Sequence, residues 1–240
     1  MVIKLKKNKK MVLLLLFAIL IMFSTFVSNL ISQNNVLNVS NLQEIKNNYS
    51  VQKIEENKDS YNIYIYYPKT DNKTLNEKIT KFINDSIKSF KANLPTNFKE
   101  MECYLDINFA VYNYLDYTSY VFYKTEFLGG AHPNSDFISI TYNGKSKKII
   151  DINSLISSNK TLLTDLSKYS YDTLKKNKTI NEIGLMDMLE SGTKATKDNF
   201  STFALTKSGI MIFFKRYQVA PYVAGDFTVT VPYEEIKLKL

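Results

Sequence analysis

The sequence predicts an α+β fold: antiparallel sheets with helices packed on one face, arranged as two small subdomains behind an N-terminal transmembrane helix. Three observations lead there. Apolar residues alternate with polar ones in several short runs joined by turn residues, the pattern of half-buried strands. Two other runs repeat apolar residues at 3.6-residue spacing, the pattern of helices lying on a core. Of 240 residues, 45% are hydrophobic and 22% charged, the composition of a globular chain with enough interior to need no covalent staple.

Residues 1–10 form a basic tail, with Lys4, Lys6, Lys7, Lys9 and Lys10 and no acid. The 21 residues at 11–31 carry no charge, and as a helix they would reach about 31 Å, the thickness of a bilayer core. The lysines precede this stretch and the next basic residue is Lys46, which places the N terminus in the cytoplasm and residues 34–240 outside. A removed signal peptide is the alternative. Its apolar stretch is shorter, about 7–15 residues, and small residues precede the cut, where this chain offers Phe26 or Leu30. Either way the remainder is exported. With Cys103 as its only cysteine it holds no internal disulfide, and Cys103 reads as a small buried hydrophobe.

Residues 32–58 are polar and Asn-rich and read as a spacer. A first subdomain spans 59–100. In it Tyr61, Ile63, Ile65 and Tyr67 alternate as a strand closed by Pro68. Leu75, Ile79, Phe82, Ile83, Ile87, Phe90 and Leu94 then mark a helix, with Thr74 and Glu77 as a capping box and Pro95 as the stop. A second subdomain spans 101–240. Leu105, Ile107, Phe109 and Val111 pair through a turn at 116–119 with a strand at 120–127. A strand at 136–142 follows, then Asn143-Gly144 as a type I′ reversal into Ile149 and Ile150. Leu162, Leu163, Leu166, Tyr169, Thr173 and Leu174 give a second helix, and 185–189 a shorter one. Strands at 203–206 and 210–219, joined at Ser208-Gly209, and at 227–231 complete the chain.

Composition and motifs exclude several chemistries. The net charge of +8 is concentrated in the tail, since residues 34–240 hold 26 basic and 23 acidic side chains. Arg216 is the only arginine, so a nucleic-acid partner is not expected. One His and one Cys make a poor zinc site, no glycine-rich phosphate loop is present, and no metal or cofactor is expected. No pair of acids sits in a motif that dictates a glycosidase separation, so no catalytic residue is nominated.

Two loops remain. In Gly129-Gly130-Ala131-His132-Pro133-Asn134 the glycines permit left-handed backbone and Pro133 fixes the exit. The loop reads either as a ligand-facing element or as a tight corner in which His132 caps carbonyls. In Tyr217 to Asp226, Ala220-Pro221-Tyr222 interrupts a hydrophobic strand and Gly225-Asp226 restarts it, as at a bulge or an edge crossing. Outward tyrosines such as Tyr64, Tyr66, Tyr112 and Tyr114 read either as sugar platforms or as half-buried sheet residues.

Phe127 to Asn134, Gly144-Lys145, the run at 149–152, Phe200 to Leu205, Gly209-Ile210, Phe214, Tyr217, Ala220-Pro221-Tyr222, Gly225 and Val231-Pro232-Tyr233 together resemble the RsiV-type extracytoplasmic domain of anti-sigma-V factors. The strand at 61–68 with Asn76 resembles the small domain that precedes it, also found at the front of the peptidoglycan deacetylase PdaC. The resemblance covers roughly residues 58–237. It implies a membrane-tethered receptor domain, in RsiV one that binds lysozyme. Only ten residues precede the membrane segment, so sigma-factor inhibition is not carried over, and neither is deacetylation.

The function expected is therefore a membrane-anchored, non-catalytic binding or sensor module for a cell-envelope ligand, either a lysozyme-like hydrolase or a peptidoglycan fragment. Lysozyme is basic, and the exported part is itself slightly basic, which gives no long-range attraction. The ligand edge comprises Gly129, Gly130, Ala131, His132, Pro133, Asn134, Ala220, Pro221, Tyr222 and Gly225. Within it, His132 supplies a directed hydrogen bond and Tyr222 a rigid anchor. A structural envelope protein without a soluble ligand and a cell-wall hydrolase or deacetylase are the alternatives.

Overall fold

The computed structural model describes residues 49–96 and 102–238. The basic tail, the membrane segment at 11–31 and the spacer up to residue 48 lie outside the described residues. Among the described residues no helix is long and apolar enough to cross a membrane.

The architecture is α+β, built on two sheets. The first has six strands in sequence order: β1 (Tyr49–Lys58), β2 (Tyr61–Thr70), β3 (Cys103–Tyr114), β4 (Tyr117–Phe127), β5 (Asn134–Asn143) and β6 (Lys148–Ile150). β1 corrects the spacer at 32–58, because its whole length pairs with β2, from Tyr49 opposite Thr70 to Lys58 opposite Tyr61. Lys53, Glu55 and Glu56 hide it in the sequence. Charges of this kind belong on an edge strand, where they discourage pairing with another chain.

One neighbouring pair departs from antiparallel order. β2 runs parallel to β3, from Tyr61 opposite Cys103 to Ile65 opposite Ile107, so the sheet is mixed. The cause is α1 (Lys73–Ala92), whose 20 residues carry the chain back along the sheet before β3 begins. Because β2 and β3 are hydrogen-bonded neighbours, the sheet continues through the subdomain boundary expected at residue 100. Leu75, Ile79, Ile83 and Phe90 bury the inner stripe of α1 against Ile63, Ile65, Leu105, Ile107 and Phe122. Its cap is Asn72, whose side chain accepts from the Leu75 amide at 2.8 Å, and not the Thr74–Glu77 pair. The helix starts two residues earlier than the capping-box spacing suggests, and Thr74 falls inside it.

The second sheet orders β7 (Phe203–Thr206), β8 (Gly209–Phe214) and β9 (Phe227–Val231), all antiparallel. β8 stops at Phe214, short of the strand expected to 219, because a turn at 215–218 follows. Four helices pack around it: α2 (Ile152–Ser158), α3 (Leu162–Leu174), α4 (Lys178–Ile183) and α5 (Met186–Thr193). Leu155, Leu166, Leu174 and Leu189 meet Phe203, Leu205, Ile212 and Val229 in this core. A last helix, α6 (Tyr233–Ile236), closes the described chain.

The sheets meet through Val121, Ala204 and Phe213. As an edge strand β7 has amides to satisfy, and it donates them to hydroxyls of the first sheet: Leu205 N to Ser119 Oγ and Phe203 N to Ser139 Oγ, each at 3.0 Å.

Two turns differ from expectation. β4 already begins at Tyr117, opposite Tyr114, with Leu115 at φ 51° in the turn. After Asn143 the loop has four residues, 144–147, instead of a two-residue reversal at Asn143-Gly144. The Asn143 side chain accepts from the amides of Lys145 and Ser146 and widens the turn, and Lys147 takes the left-handed backbone at φ 55°. Gly144 donates its amide to Asp116 O at 2.7 Å, so it serves close approach.

Candidate functional site

The two loops singled out in the sequence meet beside the free edge of β5. In the first, Gly129 (φ 93°) and Gly130 (φ 117°) adopt backbone that side-chain-bearing residues avoid. They turn the chain out of β4 and deliver His132 and Pro133 to the start of β5. The His132 Nδ1 lies 3.0 Å from the Pro133 carbonyl and its Nε2 3.0 Å from the Tyr217 hydroxyl. A carbonyl only accepts, so Nδ1 carries the proton, and in the neutral ring Nε2 accepts from Tyr217.

The second loop is seated by Gln218. Its side chain donates to Gly192 O at 2.9 Å and Asn199 O at 3.0 Å, and accepts from the Lys215 amide at 3.0 Å. Gly192 is required there, since a Cβ would stand 1.9 Å from Gln218 O. The turn forces Tyr217 into left-handed backbone at φ 63°, a strained state that non-glycine residues keep only where their surroundings hold them. The chain then passes Pro221 and a 3-10 turn, Tyr222–Ala224, and leaves through Gly225 at φ 90°, ψ −160°.

Tyr222 is the hub. His132 stacks on it with ring centroids 3.7 Å apart and planes 13° apart, and the Arg216 guanidinium carbon lies 4.5 Å from its ring centre. One face is filled by the imidazole, so the guanidinium takes the other. Arg216 also donates to Tyr222 O at 2.8 Å and pairs with Asp226 at 2.6 Å. With both faces covered, Tyr222 holds the loop together. Tyr217 is 50% exposed.

Beside Tyr217 opens a cleft of about 370 Å³, lined by Lys124, Glu126, Asn134, Ser135, Asp136, Lys215, Arg216, Tyr217 and Tyr222. Its charges largely cancel: Lys124 pairs with Glu126 at 3.0 Å, Lys215 with Asp136 at 3.6 Å, and Arg216 with Asp226. Asp136 Oδ1 is shielded from solvent and has no hydrogen-bond partner among the described residues. Among the described residues no three His, Cys, Asp or Glu side chains converge as metal ligands.

The structure thus brings His132 and Asn134 of the first loop together with Tyr222 of the second, while Pro221 and Gly225 shape the second loop's own backbone. Ala220 is corrected: it is 5% exposed and packs in the second core, because it carries the chain out of the Gln218 anchor into the interior. Ala131 and Gly130 face solvent. Sequence reasoning passed over the roles of Arg216, Tyr217, Asp136, Lys215, Lys124 and Glu126. The one available signal was that the only arginine adjoins the Tyr217 loop.

Residues 153–234 match the model of a family described as a protein of unknown function, DUF3298. That match contains the Ala220 to Gly225 element but not the Gly129 to Asn134 loop. Over 177 residues the chain is 25% identical to the peptidoglycan-N-acetylmuramic acid deacetylase PdaC of Bacillus subtilis strain 168, covering 72% of this chain and 37% of that protein. A DUF3298 family protein structure from Pseudomonas aeruginosa PAO1 superposes with a TM-score of 0.54 at 12% identity, covering 80% of this chain and 94% of that one. Another from Bacteroides fragilis NCTC 9343 gives 0.53 at 16%, covering 79% and 92%. These structures share the fold. The resemblance read from the sequence therefore holds as likeness to PdaC and to DUF3298 proteins, without singling out RsiV.

Proposed function

We propose that the chain is a membrane-anchored, extracytoplasmic binding module whose cleft takes a cell-wall glycan fragment. The observation that carries this reading is a tyrosine, Tyr217, held half-exposed in a strained conformation beside a cleft whose charges are paired off. A sugar ring offers C–H faces to an aromatic plane and hydroxyl or amide donors to acceptors. Asp136, whose carboxylate lines the cleft, is such an acceptor. A polyanion or a strongly basic protein would meet no excess of opposite charge here. The name of the relative in Bacillus subtilis points to a peptidoglycan substrate for that protein, of which this chain spans 37% of the length. The uncharged segment at 11–31 behind five lysines supports the anchor and the outward orientation.

The test is calorimetric titration of the full-length protein in detergent micelles with peptidoglycan-derived muropeptides. Saturable binding that is lost in Tyr217→Ala supports the reading, and heat signals unchanged by that substitution overturn it. A second reading, a protein ligand such as a lysozyme-like hydrolase, draws on one feature. Val223, at the tip of the same loop, is 86% exposed, and a protein partner would cover it. That reading requires Val223→Asp to abolish capture of lysozyme by the immobilised protein.

A further inference from the structure

Among the described residues, the outer face of the six-stranded sheet is only partly covered. β7 and β8 lie over Val121, Ser119 and Ser139 through the contacts described above. Nearer the β2 end of the face, the register places Tyr64, Asp106, Thr125 and Ser135 in one row across β2, β3, β4 and β5, each partly exposed. Three strand spacings make that row about 14 Å long, more than one pyranose ring. Aromatic rows flank it. On one side Tyr104 stacks with Phe127 at 5.8 Å, and on the other Tyr123 packs against Phe137 at 5.1 Å.

Two details mark this row as more than sheet surface. Asp106 has no hydrogen bond or ion pair among the described residues, and burial pushes its carboxyl pKa above the ordinary aspartate value. A half-buried carboxylate without a partner is costly for structure alone. The row also runs into the cleft, because Ser135 belongs to both.

We propose that the row Tyr64, Asp106, Thr125 and Ser135, between its flanking aromatic rings, is a continuation of the cleft, so that the protein grips an extended glycan chain along several sugar units instead of a single terminal sugar. This rests on the glycan reading above and specifies the length of the ligand. Alternating acceptors and ring faces suit a neutral saccharide, whose hydroxyls donate to Asp106 and whose C–H faces lie on Tyr104 and Tyr123.

The test is titration of the full-length protein with N-acetylglucosamine oligomers of two to six units. Affinity should rise with length, and Asp106→Asn should weaken the longest oligomer about tenfold, the value of one hydrogen bond to a charged group, while leaving the dimer unchanged. Tyr104→Leu serves as a second variant, with a thermal melt to verify folding. Length-independent affinity that still depends on Tyr217 overturns the extended groove and leaves the cleft standing. Absence of binding by every oligomer and by muropeptides overturns the glycan reading, and the groove with it.

Discussion

Tyr217 carries the account, and its backbone makes a sharp prediction. At φ 63° an L-residue sits in left-handed conformation, which costs about 1–2 kcal/mol, whereas glycine adopts it freely. Glycine loses about 0.5–1 kcal/mol of that advantage through its more flexible unfolded chain. Tyr217→Gly should therefore be more stable than Tyr217→Ala by about 0.5–1 kcal/mol, or about 1–4 °C in Tm for a domain of this size. Both variants remove the platform and should lose glycan binding alike. Thermal unfolding monitored by circular dichroism gives the first quantity and calorimetry the second. An alanine variant as stable as the glycine variant would refute the strained backbone, and retained affinity in either would refute the platform.

Tyr222→Ala removes the His132 stack and the Arg216 contact, together worth about 1–2.5 kcal/mol, and should lower Tm by about 2–10 °C, while Tyr222→Phe should leave it near that of the parent. Gly192→Ala forces a Cβ against Gln218 O and should cost about 1–3 kcal/mol in chemical denaturation. Hydrogen bonds from Ser154 hold the Asp151 carboxyl below the ordinary aspartate range. Its contribution is thus present above that range and lost as pH falls through the lowered folded value. Asp151→Asn, also a good cap, should change little at neutral pH and flatten the acid limb of a pH-dependent melt. Burial pushes Tyr120 up to about 12. Its contribution is present below pH 10 and lost as pH rises through the folded value, so Tyr120→Phe should flatten the alkaline limb.

How much of this was legible follows from the range of the interactions involved. α1 announced itself because its buried stripe repeats locally, from Leu75 to Phe90. β1 did not, because an edge strand bearing Lys53, Glu55 and Glu56 satisfies solvent and a single neighbour, which leaves weak alternation. The parallel pairing of β2 with β3 depends on where a helical crossover returns the chain, and no residue of either strand encodes it. Of the site, the two loops were visible through their Gly-Gly, Pro and Gly-Asp punctuation. The division of labour within it was not: Tyr222 was expected as the ligand anchor, but His132 and Arg216 cover its faces. In the sequence Arg216 reads only as a phosphate contact, because its pairing with Asp226 closes across a loop whose shape the sequence does not spell out.

The most direct measurement is a crystal structure of the protein with an N-acetylglucosamine tetramer at saturating concentration. The account predicts a sugar ring lying on Tyr217, with a hydroxyl or amide donor within hydrogen-bond distance of Asp136. Sugar density confined to another surface, with the cleft beside Tyr217 empty, would contradict it.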